Sequence, residues 1–224
     1  MTLLAPPPAL RTRPRARGWI HFYSAGVATV MSVVLVVLAF ATVGVGAGLA
    51  CLVYAVTLIG LFGVSATYHR HTWTSVGART WMKRADHSMI FLFIAGTYTP
   101  LAVLALPPHE RVVVLIIVWD GALGGVALKL VFPDAPRWVG VPFYLALGWV
   151  AVFLMPDLLQ LAGVAAVVLI CVGGLLYTGG ALCYATRKPN VWPLTFGYHE
   201  VFHAAVSLAA LCHCVAIWLV LYRG

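Results

Sequence analysis

The chain has 224 residues, of which 62% are hydrophobic and only 9% charged. Soluble domains carry about 25% charged residues, so the polar surface needed to coat a globule in water is missing, and lipid is the matching solvent. The net charge of +8 sits at the ends of apolar segments rather than in one patch, which argues against nucleic acid as a partner.

The first segment, Met1–Arg17, is rich in Pro and Arg and is expected to be disordered. It resembles the n-region of a signal peptide, but the apolar stretch behind it is too long for an h-region and lacks a cleavage site. It reads as a retained basic cytoplasmic tail. A helix needs about 20 apolar residues to cross a bilayer. Seven runs meet that length: Trp19–Thr42, Ala47–Arg70, Lys83–Leu106, Arg111–Val131, Trp138–Met155, Leu161–Tyr184 and Phe196–Tyr222. Gly44, Gly46 and Gly48 separate the first two, and Pro107-Pro108 ends the third. Pro133 and Pro136 divide the fourth from the fifth, Pro156-Asp157 closes the fifth, and Pro189 and Pro193 bracket the loop before the seventh. The runs are continuously apolar, without the alternation of a membrane β-barrel. The expected architecture is an all-α, seven-transmembrane helix bundle forming one domain over residues 18–224.

Charge orients it. Arg11, Arg13, Arg15, Arg17, Arg70, Arg79, Lys83, Arg84, Lys129, Arg137, Arg187 and Lys188 fall on one side of a seven-span bundle, and only Arg111 and Arg223 on the other. Cytoplasmic loops carry the Lys/Arg excess. The N-terminus is therefore expected inside and the C-terminus outside, in a multi-pass protein of the cell membrane. The same basic residues should touch anionic lipids at the cytoplasmic face, and Trp73, Trp81, Trp138 and Trp192 fit an aromatic belt there.

Ionisable groups within spans are costly and mark function by default. Ser65 and His69 are four apart at the end of the second run, Asp86 opens the third, and His199 and His203 are four apart at the start of the seventh. Such pairs share a helix face. The topology brings all five to one depth, about 5–12 Å inside the cytoplasmic interface at 1.5 Å rise per residue. Three imidazoles and a carboxylate at one level point to zinc, whose catalytic sites take three protein ligands and keep a fourth position for water. His69, His199 and His203 are the candidate ligands. Asp86 is the candidate base for the water, and Ser65 the group that would hydrogen-bond either a reacting oxygen or a residue that supports a ligand. His199-Glu200-Val201-Phe202-His203 also matches the H-E-x-x-H signature, which keeps Glu200 open as an alternative base. Cys212-His213-Cys214 looks like a metal motif, but neighbours one or two apart diverge on a helix, and packing is the simpler reading. Asp120, midway along the fourth run, reads as a protonated or hydrogen-bonded residue at a helix interface or as part of a proton or ligand pathway with His213. Pro100 is expected to kink its helix, with Thr97 and Thr99 bonding the freed carbonyls. Gly173-Gly174 and Gly179-Gly180 should permit close packing of the sixth helix.

Several stretches, in order, resemble the hemolysin III family, the bacterial branch of the progestin and adipoQ receptor proteins, in a wider superfamily with alkaline ceramidases. They are Ser65-Ala66-Thr67-Tyr68-His69-Arg70, Asp86-His87-Ser88-Met89-Ile90-Phe91, Gly96-Thr97-Tyr98-Thr99-Pro100 and Phe196-Gly197-Tyr198-His199-Glu200-Val201-Phe202-His203. The resemblance implies a seven-helix bundle with zinc near its cytoplasmic face, held by His69, His199 and His203 beside Ser65 and Asp86. It implies zinc-dependent hydrolysis of lipid amides such as ceramide, linked to membrane lipid homeostasis, with a membrane lipid as substrate or ligand. A receptor or membrane-state sensor with structural zinc is the first alternative, and a hemolysin-like pore or transporter the second. The outer halves of the helices offer only Asp120 and His213 to a water path. No protein partner is indicated.

Overall fold

The computed structural model describes residues 14–132 and 135–223. Seven helical segments are long and apolar enough to cross a membrane: Trp19–Val43, Val45–Arg70, Val76–Ala105, Pro108–Val131, Arg137–Leu161, Val164–Thr186 and Tyr198–Leu221. They are called spans 1 to 7, and no strand occurs among the described residues. Consecutive spans pack as antiparallel neighbours, and span 7 closes the bundle against spans 6, 1 and 3. Spans 2, 3 and 7 form the centre, around buried residues such as Tyr54, Phe91 and Ile217. Spans 1 and 4 turn broad faces of Val, Ile and Leu outward, where a bilayer supplies the covering.

Several boundaries differ from the sequence reading for identifiable reasons. Span 3 begins at Val76, seven residues before Lys83, because the Ser75 hydroxyl caps the helix by accepting from the Ala78 amide at 3.3 Å. Arg79, Lys83 and Arg84 therefore ride on helix rather than loop. The break between spans 1 and 2 is Gly44 alone, at φ 126°, while Gly46 and Gly48 are helical. Span 5 does not close at Pro156. A 3₁₀ segment, Trp149–Leu154, links the helices Arg137–Gly148 and Met155–Leu161, and Pro156 occupies the first turn of the latter, where its missing amide costs nothing. The phenol of Tyr98 holds that segment, donating to the Gly148 carbonyl at 2.7 Å and accepting from the Ala151 amide at 2.6 Å. Leu161 thus ends span 5 rather than opening span 6.

The scaffold expectations are met in part. Gly173 and Gly180 face span 7, where an added Cβ would lie 2.4 Å from His213 and 2.8 Å from Ala205 respectively; Gly174 and Gly179 face open space. Thr97 and Thr99 bond the carbonyls of Phe93 and Ala95 at 2.8 Å each. These are not the Gly96 carbonyl that Pro100 leaves without its i+4 amide, because a threonine back-bonds the carbonyl four residues before itself. Asp120 is exposed on the outer face of span 4, flanked by exposed Ile116, Ile117 and Leu123. It has no partner among the described residues. Both earlier readings of it are corrected, since His213 belongs elsewhere: its Nε2 lies 3.2 Å from the Ile170 carbonyl, in the notch that Gly173 leaves.

Residues 1–13 of the basic tail lie outside the described residues. Arg15–Arg17 form a turn docked on the loop before span 7, with the Arg15 and Ala16 amides donating to the carbonyls of Leu194 and Thr195. Gly18 follows at φ 78°, and a Cβ there would meet His69 Cβ at 2.9 Å. Span 1 can thus start directly against the end of span 2.

Candidate metal centre

Spans 1, 3 and 7 begin, and span 2 ends, at the end of the bundle that carries Arg17, Arg70 and Arg84. His69 sits in the last turn of span 2; His199 and His203 occupy the first two turns of span 7, one above the other. One ligand atom from each of these three histidines lies within 4.8 Å of the others, and this is the only such set of three metal-binding side chains among the described residues. The Nε2 atoms of His69 and His199 approach to 3.2 Å. Cys212, His213 and Cys214 do not converge, so the packing reading of that stretch stands.

The ring geometry fits one ion. With metal–nitrogen bonds near 2.0–2.1 Å, an imidazole centroid lies about 3.2 Å from its metal, so two ligands at tetrahedral to right angles have centroids about 4.5–5.2 Å apart. The three pairs measure 4.8 Å for His69–His199, 5.1 Å for His69–His203 and 4.5 Å for His199–His203. Asp86 stands beside them, its Oδ2 3.8 Å from His69 Nε2, and the buried Ser65 hydroxyl faces the same carboxylate. All five residues named from the sequence therefore gather at one place.

Glu200 points away. Its carboxylate, 2% exposed, accepts from the Gly197 amide at 2.9 Å through one oxygen and from the Arg17 guanidinium through the other. The H-E-x-x-H spacing is present, but its acid is engaged at the helix N-terminus, where negative charge is favoured.

Sequence reading missed His21. It is buried in the first turn of span 1, and its ring stacks on His203 with centroids 3.8 Å apart and planes 31° apart. Both ring nitrogens lack a hydrogen-bond partner among the described residues. The separation is too short for joint ligation, which would need a ligand–metal–ligand angle of about 73° by the reasoning above. His21 instead packs against the face of the His203 ring. A histidine within an apolar span at the basic end was the available signal.

A cavity of about 1060 Å³ leads away from the histidines. Ser65, Asp86, His199 and His203 line one end; Phe93, Leu101, Leu106 and Leu158 line the far part. Its wall includes Trp149, Val152, Cys171 and Leu175, all exposed on the outside of spans 5 and 6, so it opens sideways toward the surrounding lipid.

The family model described as haemolysin-III related matches residues 10–214. The chain belongs to this family. The hemolysin-3 homolog of Bacillus subtilis (strain 168) is 30% identical over 152 residues, covering 67% of this chain and 68% of that protein. The hemolysin-3 of Bacillus cereus is 30% identical over 136 residues, 60% of this chain and 59% of that protein. The human monocyte to macrophage differentiation factor is 29% identical over 179 residues, 77% of this chain and 70% of that protein. This haemolysin-III-related chain is a multi-pass membrane protein with a three-histidine centre that could hold a metal ion.

Proposed function

We propose that this protein is a zinc-dependent hydrolase of an amide or ester bond in a membrane lipid, tied to lipid homeostasis of the cell membrane. The observation that carries the reading is the joint placement of a three-histidine set, a carboxylate and a hydroxyl at one end of an apolar cavity open to the bilayer side. Zinc held by His69, His199 and His203 would supply Lewis-acid polarisation of a carbonyl and an activated water. Asp86 accepts the proton from the attacking water and delivers it to the leaving group. Ser65 orients Asp86 by donating its one hydroxyl proton to that carboxylate. The cavity wall at Phe93 and Leu101 takes the acyl chain, and the opening between spans 5 and 6 admits it without passage through water. Glu200, tied to Arg17 and Gly197, holds the first turn of span 7 and with it His199. The Lys/Arg distribution supports a cytoplasmic location for this end; a reporter fused after Gly224 should then be active outside, and cytoplasmic activity would reverse the orientation.

The test is fatty-acid release from a panel of ceramides and acyl lipids by zinc-loaded protein in nanodiscs, wild type against Asp86→Asn. Asn cannot accept the proton, so release should fall a hundredfold or more, by roughly the usual magnitude for a lost general base, with zinc retained. No release by wild type from any lipid would overturn the enzyme reading. One observation favours a second reading, a receptor or sensor with structural zinc: Asp86 Oδ2 lies only 3.8 Å from His69 Nε2, near enough to close the site as a fourth ligand.

A further inference from the structure

Basic residues at this end of the bundle are placed in different ways. Arg70 lies 3.5 Å over the Trp19 ring and Arg84 4.5 Å over the Trp81 ring, the disposition of interfacial anchors. Lys83, Lys129, Arg137 and Arg187 instead line the cavity itself. They come from four parts of the chain: span 3, span 4, the first residue of span 5 and the turn after span 6. Lys129 reaches across to span 5, its Nζ 2.5 Å from where a Cβ on Gly140 would stand, so a larger residue at 140 would displace the ammonium. Arg137 is held in place by donating to the Tyr184 carbonyl at 2.8 Å and lying 4.2 Å over the Tyr184 ring. His87 projects among Lys83, Lys129 and Arg137. Asp86 is the only acidic residue in the described lining, and it belongs to the metal centre. Topology signals need only lie on one side of the membrane. Four cations on the wall of one largely apolar cavity, with Lys83, Lys129 and Arg137 gathered around His87, are a stronger arrangement, and their complement is an anion attached to an apolar chain.

We propose that this basic lobe binds the phosphate of a phosphate-bearing lipid whose acyl chain fills the apolar part of the cavity. The inference rests on the lipid reading of the cavity above, but not on hydrolysis. Phosphate held beside Lys129, Arg137 and Arg187 sets how far the lipid enters, and hence which bond of the head-group region comes level with the histidines. A neutral lipid of the same chain length lacks that stop.

The experiment measures binding directly. Purified metal-loaded protein in nonionic detergent is titrated with lipids brominated on the acyl chain, and quenching of the cavity tryptophans Trp138 and Trp149 is read. Phosphatidic acid, the matching diacylglycerol and the matching free fatty acid are compared, with inorganic phosphate as a competitor. Phosphatidic acid should bind at least tenfold tighter than diacylglycerol. Each basic residue near a membrane surface contributes about fivefold to anionic-lipid binding. The Lys129→Gln/Arg187→Gln pair should therefore weaken phosphatidic acid by about twenty-five-fold and leave diacylglycerol unchanged. The control pair Arg79→Gln/Lys188→Gln removes the same charge outside the cavity lining and should change little. Equal binding of phosphatidic acid and diacylglycerol overturns the proposal, as does fatty acid binding as tightly as phosphatidic acid. Equal losses in the two variant pairs would reduce the effect to surface attraction and overturn it too. Inorganic phosphate that competes at the concentrations where the lipid binds would make free phosphate the ligand, against the proposal. Because binding is read without turnover, absence of hydrolysis sinks only the enzyme reading, and absence of head-group selectivity sinks only this one.

Discussion

Replacing Arg17 by Ala removes the guanidinium that faces the Glu200 carboxylate, a group 2% exposed at the start of span 7. Breaking a buried ion pair by deleting one member costs about 3–5 kcal/mol. Two features lower that here: Arg17 is itself 22% exposed, and Glu200 keeps the Gly197 amide. A loss of about 2–3 kcal/mol of stability is therefore expected, with part of a buried charge still compensated. The damage should reach the metal centre, because Glu200 precedes His203 by one turn and follows His199 directly. Outer partners of metal ligands typically contribute about 10–100-fold in affinity, so zinc affinity should fall toward the lower end of that range. The assay is zinc retention against a graded chelator together with thermal unfolding in one detergent. Glu200→Gln in the Arg17→Ala background removes the stranded charge and should restore most of the stability. Arg17→Ala with wild-type stability and zinc affinity, unaltered by the second change, would refute the clamp and return Glu200 to the pool of candidate bases.

Zinc binding needs neutral imidazoles; the unperturbed His value is about 6.5. Zinc should stay bound at pH 8 and be released progressively on acidification, read by metal analysis after desalting; the same retention profile in a His199→Ala/His203→Ala double variant would point to other ligands. Gly173→Ala drives a Cβ to 2.4 Å from the His213 ring and should destabilise by about 2–4 kcal/mol through overpacking and loss of the Ile170 hydrogen bond. Gly174→Ala meets nothing within 4 Å and should be neutral or stabilising in the same unfolding assay; equal effects would mean that span 6 is rotated. Asp120→Leu should ease membrane insertion of span 4 by about 2.5–3.5 kcal/mol, the insertion cost of an Asp at a helix centre, in a glycosylation-based insertion assay. A destabilised full-length Asp120→Leu protein would instead reveal a partner for that carboxylate.

Span number and the histidine set were legible because each depends on one quantity. Length of an apolar run counts the spans, and i, i+4 spacing at matched depth collects His69, His199, His203, Ser65 and Asp86. Rotation of each helix about its axis was not legible. These spans are apolar nearly all round, so the periodicity that names a buried face in a soluble helix is absent. Asp120 could therefore be read as inward when it faces out, and Gly174 and Gly179 could be credited with contacts that only Gly173 and Gly180 make. The 3₁₀ segment of span 5 escaped notice because its cause, the Tyr98 phenol, is 50 residues away from Gly148 in sequence. His21 escaped because it has no i, i+4 partner on its own helix; only packing of span 1 against span 7 sets it beside His203.

X-ray absorption of the zinc-loaded protein reads whether His69, His199 and His203 hold a zinc that keeps a position for water. One zinc per chain is expected, with three nitrogen ligands near 2.0–2.1 Å, about the usual zinc–imidazole distance, and one exchangeable water oxygen. Asp86→Asn should leave that spectrum in place, whereas a His199→Ala/His203→Ala double variant should bind no stoichiometric zinc. A site closed by four protein ligands, with the Asp86 carboxylate as the fourth and its spectrum altered in Asp86→Asn, would make the metal structural and rule out the catalytic water.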